Sequence, residues 1–330
     1  MATTVDLGPT LTIFVVVALS ITTVAVGLRC YVRIFLQHRF APDDYLIMFS
    51  LANLIAFVYC VLHQIQYGHG KHLSVVLMDG PSTLRMALKF WWIAQPFYIF
   101  ANCAVKVSVA VFFCSLCPPR SLHLTAIIAA CASAATGLGT LLLQILQCQP
   151  VAYFWDRFEP AAQGKCLDPH KAFAILQTVN ACDIATDVVL ALLPCIMVWN
   201  MTMELRKKFC VSLLLGMGAL PVIAAIIRAF YFKNMLLNTS DFTFTAWPIT
   251  ITSVAEPAVG ITAVCLAQLR PLGRKIFPKG WFTISELPPS DIVTFGRPGA
   301  CDGPRITVIS LNTQLKTGPF NSSPSHHICP

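Results

Sequence analysis

With 330 residues, 56% of them hydrophobic and only 12% charged, the chain is far from a soluble composition, in which about 25% of residues carry charge. Its net charge of +8 lies beside apolar runs, not on a polar segment with interleaved aromatics, which marks membrane topology and argues against nucleic acid as a partner. Of the 14 cysteines, Cys60, Cys103, Cys131, Cys182, Cys195 and Cys265 sit inside apolar runs and behave there as small hydrophobes. Cys114 and Cys117 form a CxxC with no second ligand pair, so no metal site is expected.

Apolar runs long enough to cross a bilayer recur along the chain and predict an all-α membrane protein, a bundle of seven transmembrane helices. Residues 1–10 form an outer N-terminus and residues 11–280 the membrane domain. The first span, residues 11–28, is followed at once by Arg29, Arg33 and Arg39, which places the first loop in the cytosol and the N-terminus outside. Asp43 and Asp44 precede the second span, residues 45–66, and suit its helix N-terminus. GHGKH, Gly68–His72, breaks the chain on the outer side.

The third span, residues 90–116, opens with the interfacial aromatics Phe90, Trp91 and Trp92. It has an expected kink at Pro96 and carries Asn102 and Lys106. After a short inner turn (Pro118, Pro119, Arg120) comes the fourth span, residues 122–147, uncharged and rich in small residues that allow close packing. Cys148–Lys171 is the longest outer loop, the fifth span covers residues 173–199, and Met201–Phe209 is a basic inner loop. The sixth span, residues 210–232, contains Pro221 and Arg228, and the seventh, residues 246–266, contains Pro248, Glu256 and Pro257. Eleven Lys and Arg at predicted inner ends against seven at outer ends support this orientation. Residues 281–330, with 17 Pro, Gly and Ser and no apolar period, read as a disordered cytosolic tail. Asn238 heads a glycosylation sequon in the outer loop before the last span; Asn200 heads a second sequon on the cytosolic side, where it stays bare.

The stretch around which the rest is arranged is the fifth span. Asn180, Asp183 and Asp187 fall on one helical face near its middle. A carboxylate at the bilayer centre costs about 2.5–3.5 kcal/mol on insertion scales, so this face looks into protein or a water-filled cavity. At 1.5 Å per residue, Asn102, Lys106, Asp183, Asp187 and Glu256 all lie roughly 15–24 Å below the outer surface and are able to meet in one layer. Lys106 is the expected counter-ion of Asp183 or Asp187, and one positive charge against three carboxylates leaves an acid holding a proton. Arg228, about 6 Å from the outer end of its span, is expected to snorkel to the interface. The cluster serves either as a structural hydrogen-bond lock between helices or as a site in which Asp183, Asp187 and Glu256 act as catalytic acids.

Several segments together resemble one family: Arg29–Asp44 (RCYVRIFLQHRFAPDD), the GHGKH turn, Lys89–Trp92 with Lys106–Phe113, and the loop from Cys148 to Cys166. Asn180–Asp183, the run ending at Trp199, Arg228, Trp247, Glu256 and Cys265–Leu272 (CLAQLRPL) complete the pattern. The chain resembles the fungal rhodopsin-domain family of seven-helix membrane proteins, the satratoxin-cluster type, related to fungal surface-sensing receptors. The stretch before Arg120, FFCSLCPPR, lacks the arginine-rich end the family leads one to expect, and no cysteine-rich segment precedes the first span. The resemblance therefore implies the compact form, whose members belong to secondary-metabolite gene clusters. Retinal is not expected despite the family's name, because the seventh span has no lysine for a Schiff base.

Two functional readings follow: an accessory factor or membrane enzyme acting on a lipophilic intermediate, such as an acid–base cyclase or isomerase, or a receptor-like sensor of a small apolar ligand. The absence of an inverted repeat puts a transporter third. Cys148 and Cys166 are the cysteines that this topology places in an outer loop, on the oxidising side, and they are expected to form a disulfide.

Overall fold

The computed structural model describes residues 6–38, 40–78, 80–115, 120–159, 162–199, 220–232 and 242–268, all within one compact unit, Met1–Glu286. The predicted tail, the basic loop with Asn200, and Asn238 lie outside the described residues. In chain order the elements are α1 (Gly8–Tyr31), a π-helical extension (Val32–Gln37), α2 (Pro42–Gln66), α3 (Leu73–Met78), α4 (Pro81–Ser115) and α5 (Arg120–Leu146). There follow β1 (Cys148–Gln149), α6 (Tyr153–Asp156), β2 (Lys165–Cys166), α7 (Pro169–Trp199), α8 (Leu220–Phe232), α9 (Phe242–Thr245) and α10 (Trp247–Gln268).

Among the described residues six helices are long and apolar enough to cross a membrane: α1 with its extension, α2, α4, α5, α7 and α10. α8 is apolar but too short in its described part to count as the seventh span. Helices α4 and α7 start before the predicted spans because a proline suits the first helical turn, and a helix does not end where hydropathy does.

The burial pattern is that of a membrane protein. Large apolar side chains face outward, as with Ile13 at 66%, Val24 at 70% and Phe230 at 67% exposure, while Lys106, Arg228 and Glu256 are buried. Hydroxyls on the helices bond carbonyls of the preceding turn, as Thr12 to Gly8, Ser20 to Val16 and Thr23 to Leu19, which satisfies these donors within their own helix. The chain is an integral, multi-pass membrane protein.

α4 is the central element, packing on α2, α5, α7 and α10, while α10 also closes against α1 and α2. The main apolar core lies where α1, α2, α4 and α10 meet, around Leu11, Ile47, Leu54 and Ile261. α4 continues through Pro96. Proline has no N–H, so the Trp92 carbonyl one turn back loses its helical partner, and Gln144 Nε2 of α5 donates to it at 2.6 Å. Gly137 lets α5 approach α4 closely: a Cβ there would stand 2.6 Å from Cys103 Sγ.

The ends of the bundle are tied differently. At one end β1 and β2 pair antiparallel and carry the Cys148–Cys166 disulfide, while Arg85 of α4 pairs with Asp156 and Glu159. The GHGKH turn lies there too. Its Gly68 has φ +91°, and a Cβ would stand 2.7 Å from Val76 Cγ2, so only glycine fits. At the opposite end Arg29, read above as a loop charge, is 1% exposed and lies 2.7 Å from both Asp43 Oδ2 and Asp44 Oδ1. Hydropathy ends at the first arginine, but the helix does not, and two carboxylates at the start of α2 provide the pairing that keeps Arg29 inside. Arg33 reaches the same carboxylates and donates to Gln268 Oε1 at the end of α10 at 2.6 Å. Asp44 also takes the expected role at the helix start, accepting from the Ala41 N–H at 2.9 Å.

Candidate functional site

The spacing on each helix brings one polar face to the middle of the bundle. On α4 Tyr98, Asn102 and Lys106 follow at intervals of four; on α7 Asn180, Asp183 and Asp187 follow at three and four. α10 contributes Glu256 and α8 contributes Arg228. The three carboxylates come within 4.8 Å of one another. Lys106 Nζ, 3% exposed, lies 2.7 Å from Asp183 Oδ1 and 2.9 Å from Asp187 Oδ1, so it bridges both acids instead of choosing one. Thr186 Oγ1 is a further neighbour at 3.4 Å.

Glu256 has its own partners. Oε1 accepts from Asn102 Nδ2 at 2.5 Å, and Oε2 accepts from Tyr98 OH at 2.7 Å and Arg228 Nη1 at 2.5 Å. Arg228 also donates to Tyr98 OH, lies over its ring at 5.1 Å and donates through Nη2 to Asn180 Oδ1 at 3.1 Å. Arg228 does not snorkel: it is 5% exposed, because rotation about the helix turns it inward and three partners there compensate its desolvation.

Two cations therefore face three carboxylates, leaving one negative charge over. Asp187 is the least compensated acid: its Oδ2 is buried and has no hydrogen-bond partner among the described residues. The carboxylate spacing would suit a cation, but the Lys106 and Arg228 side chains already supply positive charge at that position.

Beside this layer lies a cavity with about 80 Å³ of room for the centres of water-sized molecules, bounded by α4, α5, α7, α8 and α10. At roughly 10–15 Å³ per water, that is space for several waters or a small polar head. Tyr98, Asn102, Asn180, Asp183 and Arg228 line it, together with apolar Ile99, Leu176, Val179 and Phe232. The sequence-based expectation of three acids on a common cavity is thus met by Asp183 alone; Asp187 and Glu256 stand behind it, covered by Lys106, Tyr98 and Arg228. Sequence reasoning missed Tyr98, whose place one turn before Asn102 and two before Lys106 on α4 is the signal that would have found it.

A second polar feature lies toward the disulfide end. His69 of the GHGKH turn is buried, 2.9 Å from Thr250 Oγ1 of α10 and tilted against Trp91. Burial pushes its imidazole down to about 4, so it is neutral at physiological pH.

Comparison with known proteins agrees with this architecture. The chain is 28% identical over 281 residues to the polyenoic acids biosynthesis gene cluster protein Ba17b of Metarhizium anisopliae, covering 82% of this chain and 75% of that one. It is 25% identical over 254 residues to fugralins biosynthesis cluster protein 2 of Gibberella zeae, covering 74% of this chain and 61% of the other. It is 26% identical over 228 residues to a SAT4 family membrane protein of Emericella nidulans, covering 67% and 54%. The chain thus spans less than two thirds of the length of the second and third of these relatives. No solved structure matches. Residues 28–275 match the fungal rhodopsin domain, and the chain belongs to that family.

Proposed function

We propose that this protein takes part in secondary-metabolite biosynthesis, holding a lipophilic intermediate in the cavity beside the charged layer and rearranging it by proton transfer. The observation that carries the reading is a largely apolar cavity with a few polar groups, set against a layer with one uncompensated negative charge, inside a bundle whose outer face is apolar. Two relatives named as biosynthesis cluster proteins support the biological context.

One proton balances the layer. The Asp183 carboxylate, on the cavity wall, takes that proton from an acidic C–H or hydroxyl of the intermediate; after double-bond migration or ring closure the same carboxyl returns it. The net reaction is an isomerisation needing no oxidant or co-reactant. Tyr98, Arg228, Glu256 and Lys106 hold Asp183 and the cavity in place. Retinal is no part of this reading: α10 has no lysine, and Lys106 Nζ is held between two carboxylates away from the cavity wall.

The test is metabolite profiling of a strain lacking the gene, complemented with wild type or Asp183→Asn. An intermediate that accumulates in the deletion strain and persists with well-expressed Asp183→Asn supports the reading; full rescue by Asp183→Asn rules out acid–base catalysis. A second reading, a sensor of a small apolar ligand, draws on the meeting of α4, α7, α8 and α10 at one layer, where a ligand would bias how they pack. Unchanged metabolites with altered surface or nutrient responses would favour it.

A further inference from the structure

We infer that the cavity is built for a hydrogen-bond-donating head, a hydroxyl or a protonated amine on an apolar body, and that it turns away carboxylates. This deepens the proposed function and rests on its reading of the cavity as the binding site. The argument follows the hydrogens. On the α5 wall Thr136 donates to the Ser133 carbonyl and Thr140 to the Thr136 carbonyl, both at 2.9 Å, so each presents only oxygen lone pairs to the cavity. The Cys103 thiol likewise points its hydrogen at the Ser133 carbonyl, at 3.4 Å.

On the opposite side the donors of Tyr98, Asn102 and Arg228 are engaged, and the Asn180 amide, whose Oδ1 accepts from Arg228, keeps a neutral donor in Nδ2. Tyr98 gives its proton to Glu256, Asn102 Nδ2 donates to Glu256, and Arg228 is divided among Glu256, Tyr98 and Asn180. A charged acceptor with spare capacity stands there as well: among the described residues Asp183 Oδ2 makes no hydrogen bond and has a 3.9 Å contact with Arg228 Nη2. Gln95 and Ser253 line the cavity as well and serve in either sense. A hydroxyl or ammonium entering here meets Asp183 Oδ2 and the two threonine oxygens. A carboxylate meets those same lone pairs beside a layer that already carries one negative charge too many.

The room available, about 80 Å³, takes the head and its first few carbons. Ile99, Leu176, Val179 and Phe232 receive the start of the apolar body.

The experiment uses the full chain in nanodiscs with three probes of equal chain length: 1-decanol, decylamine and decanoate. Because Cys103 lines the cavity, protection of its thiol from a maleimide, read at the Cys103 peptide by mass spectrometry, reports occupancy, with the thermal midpoint followed in parallel. The expected ranking places decanol and decylamine ahead of decanoate by about tenfold in half-saturating concentration, the worth of one good hydrogen bond. Asp183→Asn weakens decylamine more than decanol, since the amide keeps an acceptor but loses the charge. Decanoate binding as well as or better than the others overturns the inference, as does failure of all three probes to protect Cys103 and to shift the midpoint. Should Asp183→Asn fail to fold, the wild-type ranking still decides. The ranking is read on the isolated protein, so loss of the biosynthetic reading in the metabolite test leaves it untouched.

Discussion

Arg228 Nη1 stands 2.5 Å from Glu256 Oε2, joining α8 to α10 in the interior of an apolar bundle where both side chains are almost wholly excluded from solvent. Breaking such a pair leaves one charge buried and bare. Arg228→Met is expected to destabilise the fold by about 3–5 kcal/mol, and Arg228→Met with Glu256→Leu to recover most of that loss. Thermal unfolding of the three forms in the same nanodiscs checks it; a single variant as stable as wild type would show that the pair contributes nothing.

The other ion pair behaves asymmetrically. Lys106→Met strips Asp183 and Asp187 of their shared cation and is expected to cost about 3–5 kcal/mol. Asp187→Asn instead balances the layer at two charges of each sign and is expected to stay within about 1 kcal/mol of wild type, or to gain stability. Chemical unfolding curves separate the two. Equal losses would mean that the count of charges is not what governs this layer.

The buried imidazole of His69 sets a pH window. Its folded value of about 4 lies below the ordinary 6.5, so between those limits the unfolded chain binds a proton that the folded chain does not. Stability therefore falls as pH drops from 6.5 to 4 and levels off below, by about 3 kcal/mol in all. His69→Gln should flatten the curve across that window. An unchanged slope in the variant would assign the effect to other groups.

The Cys148–Cys166 disulfide closes a loop with a sequence separation of 18. Opening it by reduction is expected to lower stability by about 3 kcal/mol on the loop-entropy account. Both thiols should resist alkylation in the unreduced protein. An orientation with the disulfide end on the oxidising side leaves Asn200 free of sugar; glycan at Asn200 would reverse it.

Six of the seven expected spans were legible because 20-residue apolar runs leave few alternatives, and the charged layer was legible because helix rise converts position into depth. Rotation about the helix axis was not. Arg228 has the depth of an interfacial residue but faces Glu256 and Asn180. Arg29 has the sequence neighbourhood of a loop charge but pairs with Asp43 and Asp44, whose approach depends on how α1 meets α2. Tyr98 reads as one more aromatic in an aromatic-rich helix until its hydroxyl is seen between Glu256 and Arg228. The split of the acids into Asp183 on the cavity wall and Asp187 and Glu256 behind it likewise depends on side-chain direction, which spacing alone does not fix.

The unequal count of charges in the central layer has an electrical consequence. Arg29 and Arg33 balance Asp43 and Asp44, so that cluster, near the helix ends, is indifferent to the potential across the bilayer. The layer around Lys106 is short of one positive charge and sits about midway along α10, where Glu256 belongs to Trp247–Gln268. A proton or an ammonium head that reaches it crosses about half the field, worth about 1 kcal/mol per 100 mV, whereas a neutral alcohol crosses without work. If the cavity takes such heads, occupancy by a cation is expected to follow membrane voltage by severalfold and occupancy by an alcohol to ignore it.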